Sequence, residues 1–414
     1  MPGVCLYFQV HQPYRIKRYT YFDIGSGETY FDEHRNRSIM ERVAAECYLP
    51  ANRCLLDLIQ RHEGRFKVAF SISGTALEQM KLYAPKALES FRELAATGAV
   101  EFLGETYYHS LAMLYDDREY REQVRKHSQV IQSEFGKKPR VLRNTELIYS
   151  DDLGARVTDL GFDGVLAEGV DDVLGWRSPN FVYVVPGQST RIVLKNHRLS
   201  DDIAFRFSRI ISGDSVSLKA SDFANSLHAL TGNSSLVGLF LDYETFGEHH
   251  KRGTGIFEFL SSLPGCVLAH PEWEFLTPSE SVARENPAGD LSFPRVTSWA
   301  DTARDASAWC GNRMQASALE RVFNWREFCG AREIYSDSMA SVREVWRRLQ
   351  ASDHFYYMST KGANDGEVHS YFSPFESPYE AFIAYMNVLK DFTLACENRD
   401  SPDGRRPPSS QVTR

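Results

Sequence analysis

The 414-residue chain has no apolar run approaching the roughly 20 residues a bilayer-spanning helix needs. Its opening, "MPGVCLYFQVHQP", has neither the basic n-region nor the small-residue cleavage site of a secretory leader. The expectation is a cytoplasmic protein with no membrane partner. It has no basic run either, and 47 Lys and Arg against 55 Asp and Glu leave a formal charge of −8, which disfavours a phosphate backbone as partner. No nucleic acid is expected. The seven cysteines are scattered singly with no C-x-x-C pair, which argues against a disulfide or zinc framework and for reduced, mostly buried thiols. No internal repeat is present, and nothing in the residues speaks to oligomeric state.

What is present is apolar and aromatic: 43% and 13% of the chain, enough to bury one large core, or one core plus a helical satellite. Short strand-like runs, "VCLYFQV" from Val4, "FKVAFSI" from Phe66, "VEFLGE" from Val100, "RVLRN" from Arg140, "GVLAEG" from Gly164 and "VGLFLDY" from Val237, alternate with helix-compatible stretches. That alternation predicts parallel strands covered by helices, an α/β class. The stretches "IMERVAAECYLPANRCLLDLIQRH" from Ile39 and "EYREQVRKHSQVIQSEF" from Glu119 place apolar residues three and four apart, and Pro50 should kink or split the first. From about Thr302 helical periodicity dominates. The organisation expected is therefore a catalytic β/α barrel over 1–300, a helical region over 301–396 that packs on it and contributes to the site, and a disordered, Pro-rich tail over 397–414.

The polar residues fall consistently after the strands: His11-Gln12 after the first, Ser71 to Gly74 after the second, Glu105, Tyr107 and His109 after the third, Asn144 to Glu146 after the fourth, and Asp242 to Glu244 after "VGLFL". In a β/α barrel the C-terminal strand ends build the active site. Glu168, Asp171 and Asp172 in "AEGVDDV" read instead as loop solvation or helix caps.

Two isolated carboxylates from different strands suit glycoside hydrolysis, in which one attacks the anomeric carbon and the other protonates the leaving oxygen and then activates the acceptor. Tyr107, Tyr108, Tyr149, Trp176 and the "HFYYM" stretch from His354 are candidates to stack on sugar rings. A metal-dependent deacetylase on a similar barrel, with ligands drawn from His109, His249, His250 and Asp242, is the alternative chemistry, although no H-x-x-x-H spacing supports it.

Five segments, in order, resemble the motifs of glycoside hydrolase family 57, the α-amylase and 4-α-glucanotransferase group: His11-Gln12-Pro13, "SISGTALEQ", "RNTELIY", "DYETFGEHH" and "QASDHFYYM". The resemblance implies an incomplete (β/α)7 barrel followed by an α-helical C-terminal region. It implies a retaining mechanism on α-1,4-glucans or malto-oligosaccharides, with Glu146 as nucleophile and Asp242 as general acid/base. It places Glu78, Glu244 and Asp353 at sugar-contacting acidic positions, and His11, Gln12 and His109 join them as substrate-binding candidates. No cofactor and no catalytic metal are expected. Tyr356-Tyr357 stand where many members carry a Trp-His pair. Hydrolysis, 4-α-glucan transfer and branching all use the same residues, and a non-catalytic glucan-binding protein is the reading from another class.

Overall fold

The structure is a computed structural model that describes residues 1–211, 214–325, 334–361 and 373–397. The tail expected over 397–414 falls, from residue 398 on, outside them. The described residues cluster into two compact units, one of Met1–Tyr14 with Glu33–Ala308 and one of Arg15–Asp32 with the chain from Trp309.

The first unit is an α/β barrel. Its strands are β1 (Gly3–Val10), β2 (Val68–Ile72), β3 (Val100–Phe102), β4 (Val141–Arg143), β5 (Gly164–Glu168), β6 (Tyr183–Val184), β7 (Arg191–Lys195), β8 (Ser208–Ile211), β9 (Asp214–Ser217), β10 (Leu236–Asp242) and β11 (Glu274–Phe275). The main sheet runs β3-β2-β1-β10-β7-β5-β4 with every pairing parallel. Gly104, just beyond β3, bonds back to β4 through its N–H on Val141 (2.9 Å) and its carbonyl under the Arg143 N–H (2.8 Å), so the seven strands form a ring. At the opposite seam, β10 pairs with β7 through Gly238 and Lys195. A β-carbon at 238 would overlap the Leu194 carbonyl oxygen, so only glycine lets those two strands approach.

The period-two geometry of each strand divides its apolar residues between two cores. Val4, Leu6, Phe8 and Val10 of β1, with Val237, Leu239 and Leu241 of β10, pack outward against the helices. Cys5 and Tyr7, with Leu236 and Phe240, pack inward with Ala69, Leu103, Val141, Leu166 and Val193. Continuing that inward parity to the C-terminal ends of the strands reaches Gln9, Ser71, Arg143, Glu168, Lys195 and Asp242. The barrel is thus apolar below and polar at one mouth.

The stretch expected to kink at Pro50 divides one turn earlier. Helix Glu33–Val43 passes into a π-helical turn, Ala44–Tyr48, before helix Leu49–Arg61 begins with Pro50 in its first turn. That wide turn presses on the loop after β10: Cys47 donates to the Tyr243 carbonyl (3.2 Å), and a β-carbon at Gly247 would overlap the Glu46 carbonyl.

The second unit is mainly helical: Arg313–Phe323, Ala340–Arg348, Ser352–Tyr356 and Pro378–Glu397. Trp325 stacks on Phe392 with centroids 4.5 Å apart. Asp391 ties in the Arg15–Asp32 segment, accepting from the Gly25 N–H (2.6 Å) and the Tyr30 hydroxyl (2.7 Å). Among the described residues no helix is long and apolar enough to cross a membrane.

Candidate active site

Glu146 is held on a strained turn. The 3-10 turn Thr145–Leu147 follows β4 directly, and both Glu146 (φ 57°) and Leu147 (φ 50°) adopt left-handed backbone. Such residues cost about 1–3 kcal/mol each. Burial of the Leu147 side chain in the inner core offsets roughly 1.5–3 kcal/mol of that. Asn144 clasps the turn by donating its side-chain amide to the Ile148 carbonyl (2.9 Å), and Thr106 and Thr145 share a hydroxyl bond (2.6 Å).

Two side chains grip the Glu146 carboxylate. Trp299 donates its indole N–H to Oε2 at 2.8 Å, and His109 Nε2 lies 3.4 Å from Oε1. His109, also in left-handed backbone (φ 51°), places its Nδ1 2.9 Å from Glu105 Oε2 and stacks on His11 with centroids 4.0 Å apart. Burial alone would discharge this imidazole, but the carboxylates on its two sides raise it to about 9. Burial likewise pushes Glu146 up, and the His109 cation, Arg143 and the Trp299 donor overcome that and hold it down to about 2. Glu105, buried beside the same histidine, is also held below the ordinary carboxylate range despite burial.

Asp242, the last inward residue of β10, behaves in the opposite way. Burial and the nearby Glu146 charge raise it to about 6, against the opposing pull of Arg143, Lys195 and His109. Glu244, two residues on, is pushed up to about 8 by burial and by Asp242. Its Oε1 accepts from the Tyr48 hydroxyl (2.5 Å) and from Gln12 Nε2 (3.3 Å).

Six of the expected residues, His11, Gln12, His109, Glu146, Asp242 and Glu244, therefore come together at one mouth of the barrel. His11 is oriented there by Ser73 (2.7 Å). Glu78, one turn into helix Gly74–Tyr83, accepts from the Tyr107 hydroxyl at 2.8 Å. Asp353 belongs to the second unit, in the first turn of helix Ser352–Tyr356. Of the aromatic candidates, Tyr108 and Tyr149 are core residues, closed to a sugar by their burial, whereas Trp176 is 89% exposed. Glu168 is not the solvated acid its loop composition suggested. It is fully buried beside Lys195 (3.5 Å) and Arg304 (3.0 Å), while Asp171 and Asp172 do open a short helix, Asp171–Leu174.

Sequence reading placed Glu105 at this mouth without giving it a role, and missed Trp299, Arg143 and Lys195 as members of this site. The parity of β4 and β7 carried a signal for two of them: a charged residue at an inward position. For the metal alternative, His250 is committed to the Ala204 carbonyl (2.9 Å), and among the described residues no three His, Cys, Asp or Glu are grouped as metal ligands.

Comparison with known proteins gives the family and the fold. Residues 5–294 match the model of the family described as glycosyl hydrolase family 57. A Methanocaldococcus jannaschii protein provisionally named an alpha-amylase is 40% identical over 397 residues, covering 93% of this chain and 83% of that one. Among solved structures, a family 57 branching enzyme from Thermococcus kodakaraensis superposes with a TM-score of 0.69 at 13% identity, covering 98% of this chain and 92% of that one. An alpha-amylase from Thermotoga maritima gives 0.60 at 12% identity, covering 96% of each chain. At these identities the two structures speak for the fold.

Proposed function

Because the chain belongs to glycosyl hydrolase family 57 and is a glycoside hydrolase, we propose that it cleaves α-1,4-linked glucans by a retaining mechanism, with Glu146 as nucleophile and Asp242 as general acid and base. The observation that supports this best is the separation of two carboxylates at one barrel mouth: Glu146 held down to about 2, Asp242 raised to about 6. Pairs of acids pushed apart by their surroundings divide nucleophilic from proton-donating work.

In the first step the glycosidic C1–O bond breaks as a Glu146 oxygen bonds to C1, and the Asp242 proton passes to the leaving oxygen. Esterified Glu146 no longer carries the negative charge that raised Asp242, so the acidity of Asp242 increases once it has lost its proton. In the second step an acceptor O–H gives its proton to Asp242 as its oxygen bonds C1 and Glu146 departs as carboxylate. His109 and Trp299 stabilise that departing charge by bonds already in place. His11, Gln12, Glu78 and Glu244 supply polar atoms for sugar hydroxyls.

Incubation with maltoheptaose and separation of the products by size tests the reading. Shorter sugars alone mean hydrolysis, the expected outcome. A ladder above the substrate means 4-α-glucan transfer, and new branch points mean branching; both use the same pair. First-formed products of the α anomer by proton NMR support retention, and β products overturn it. Near-normal turnover by folded Glu146→Gln would show that another group is the nucleophile.

A further inference from the structure

One buried cation at the mouth of the barrel makes no side-chain hydrogen bond among the described residues. Arg143 is the last inward residue of β4, three before Glu146, and is 0% exposed. None of its Nε, Nη1 and Nη2 atoms has a hydrogen-bond partner among the described residues. Its Cζ lies 4.7 Å from the ring centre of Trp299, whose N–H is on Glu146. The neighbouring cations are differently placed: Lys195 pairs with Glu168 (3.5 Å) and Asp201 (3.2 Å), and Arg304 with the same two acids (3.0 and 3.2 Å).

A permanent charge stripped of water and given no hydrogen bond is among the most unfavourable groups a fold can bury, unless opposite charge stands nearby. The Arg143 charge acts on Tyr7 from β1, Glu105 after β3, Glu146 after β4 and Asp242 from β10, and Lys195 from β7 and His109 after β3 act on the same Asp242. We propose that Arg143 is a positioning residue, the fixed counter-charge that Glu146 and Asp242 share through the catalytic cycle.

The lack of a hydrogen bond is what suits it to sharing. The single negative charge of the pair sits on Glu146 in the free enzyme and on Asp242 once the glycosyl ester has formed. A donor bonded to Glu146, as Trp299 is, favours the first distribution and loses its charged acceptor in the second. A guanidinium bonded to neither favours both. In agreement, Arg143 pulls both carboxyl groups downward.

The proposal rests on the assignment of the Glu146–Asp242 pair, so the test carries Glu146→Gln alongside. The kcat/KM of Arg143→Gln and Arg143→Lys is measured against pH on maltoheptaose, with thermal melts to establish folding. Arg143→Gln should move both limbs of the profile to higher pH, by about one pH unit or more. Arg143→Lys, which keeps the charge, should leave both within about half a unit. A folded Arg143→Gln that is slower at every pH with its limbs in place overturns the proposal in favour of a purely structural role. So does an Arg143→Lys profile displaced as far as that of Arg143→Gln. Should Arg143→Gln not fold, the Lys profile decides alone: in place it supports the shared charge, displaced it overturns it. Turnover by Glu146→Gln would overturn the pair assignment and this proposal together, whereas a dead Glu146→Gln with unmoved Arg143→Gln limbs overturns this proposal only.

Discussion

Replacing Trp299 with phenylalanine isolates one of the forces on Glu146, the residue proposed as nucleophile. The ring that stacks against Arg143 is kept, and the N–H at 2.8 Å from Glu146 Oε2 is lost. A hydrogen bond to a charged acceptor contributes about 1.5–3 kcal/mol, and about 1.4 kcal/mol corresponds to one pH unit of acidity. Loss of the donor leaves the carboxylate more basic, so it takes up its proton at higher pH. The acid limb of kcat/KM, expected at about 2 in the native enzyme, should rise to roughly 3–4. The largest influences on Asp242 are burial, Glu146, Arg143, Lys195 and His109, so the alkaline limb should stay at about 6. The assay is reducing-sugar release from maltoheptaose across pH, each limb fitted separately. An unmoved acid limb would refute the role given to the indole. Equal movement of both limbs would show that the substitution disturbs the shared field of Arg143 rather than one bond.

Glu244 gives a stability prediction with a definite sign. Its native value, raised to about 8, exceeds that of an unfolded glutamate, so the stability it contributes is complete below the unfolded value of about 4.3 and is lost as pH rises through about 8. Glu244→Gln keeps an oxygen for Tyr48 and Gln12, and should flatten the fall in Tm between about pH 5 and pH 9; equal slopes by calorimetry would refute this. Gly238→Ala should destabilise the first unit by about 3 kcal/mol or more, because its β-carbon meets the backbone of β7 and not a movable side chain. An unchanged denaturation midpoint would show that the β7–β10 seam can open at little cost.

The strand ends were legible because a buried parallel strand announces itself as a continuous apolar run, and the first polar residues after it must sit at the mouth. That reasoning reaches His11, Gln12, Glu146 and Asp242 from sequence alone. It does not reach Trp299, which arrives from a loop after the last strand with no periodicity of its own, held by Thr297 against Tyr149 and by its own N–H on the Glu146 carbonyl (3.3 Å). Nor does it assign Arg143 or Lys195, because a charge inside an apolar run is read as a strand end unless inward and outward parity is tracked. Glu168 was misplaced for a related reason: its neighbours look like loop, while its own position is the inward end of β5. The π-helical turn before Pro50 is invisible to a 3.6-residue pattern, yet it sets Tyr48 on Glu244.

The inward parity that lines the mouth also limits how such a gene can change. Asp242 faces the barrel mouth because it lies an even number of residues from the inward Phe240 and Leu236. A single-residue insertion or deletion within β10 would turn Leu241 inward and Asp242 toward the helices. The loops carry no such constraint, since a loop that gains residues leaves strand parity untouched. New specificity in this scaffold is therefore open to length variation between strands and closed to it within them.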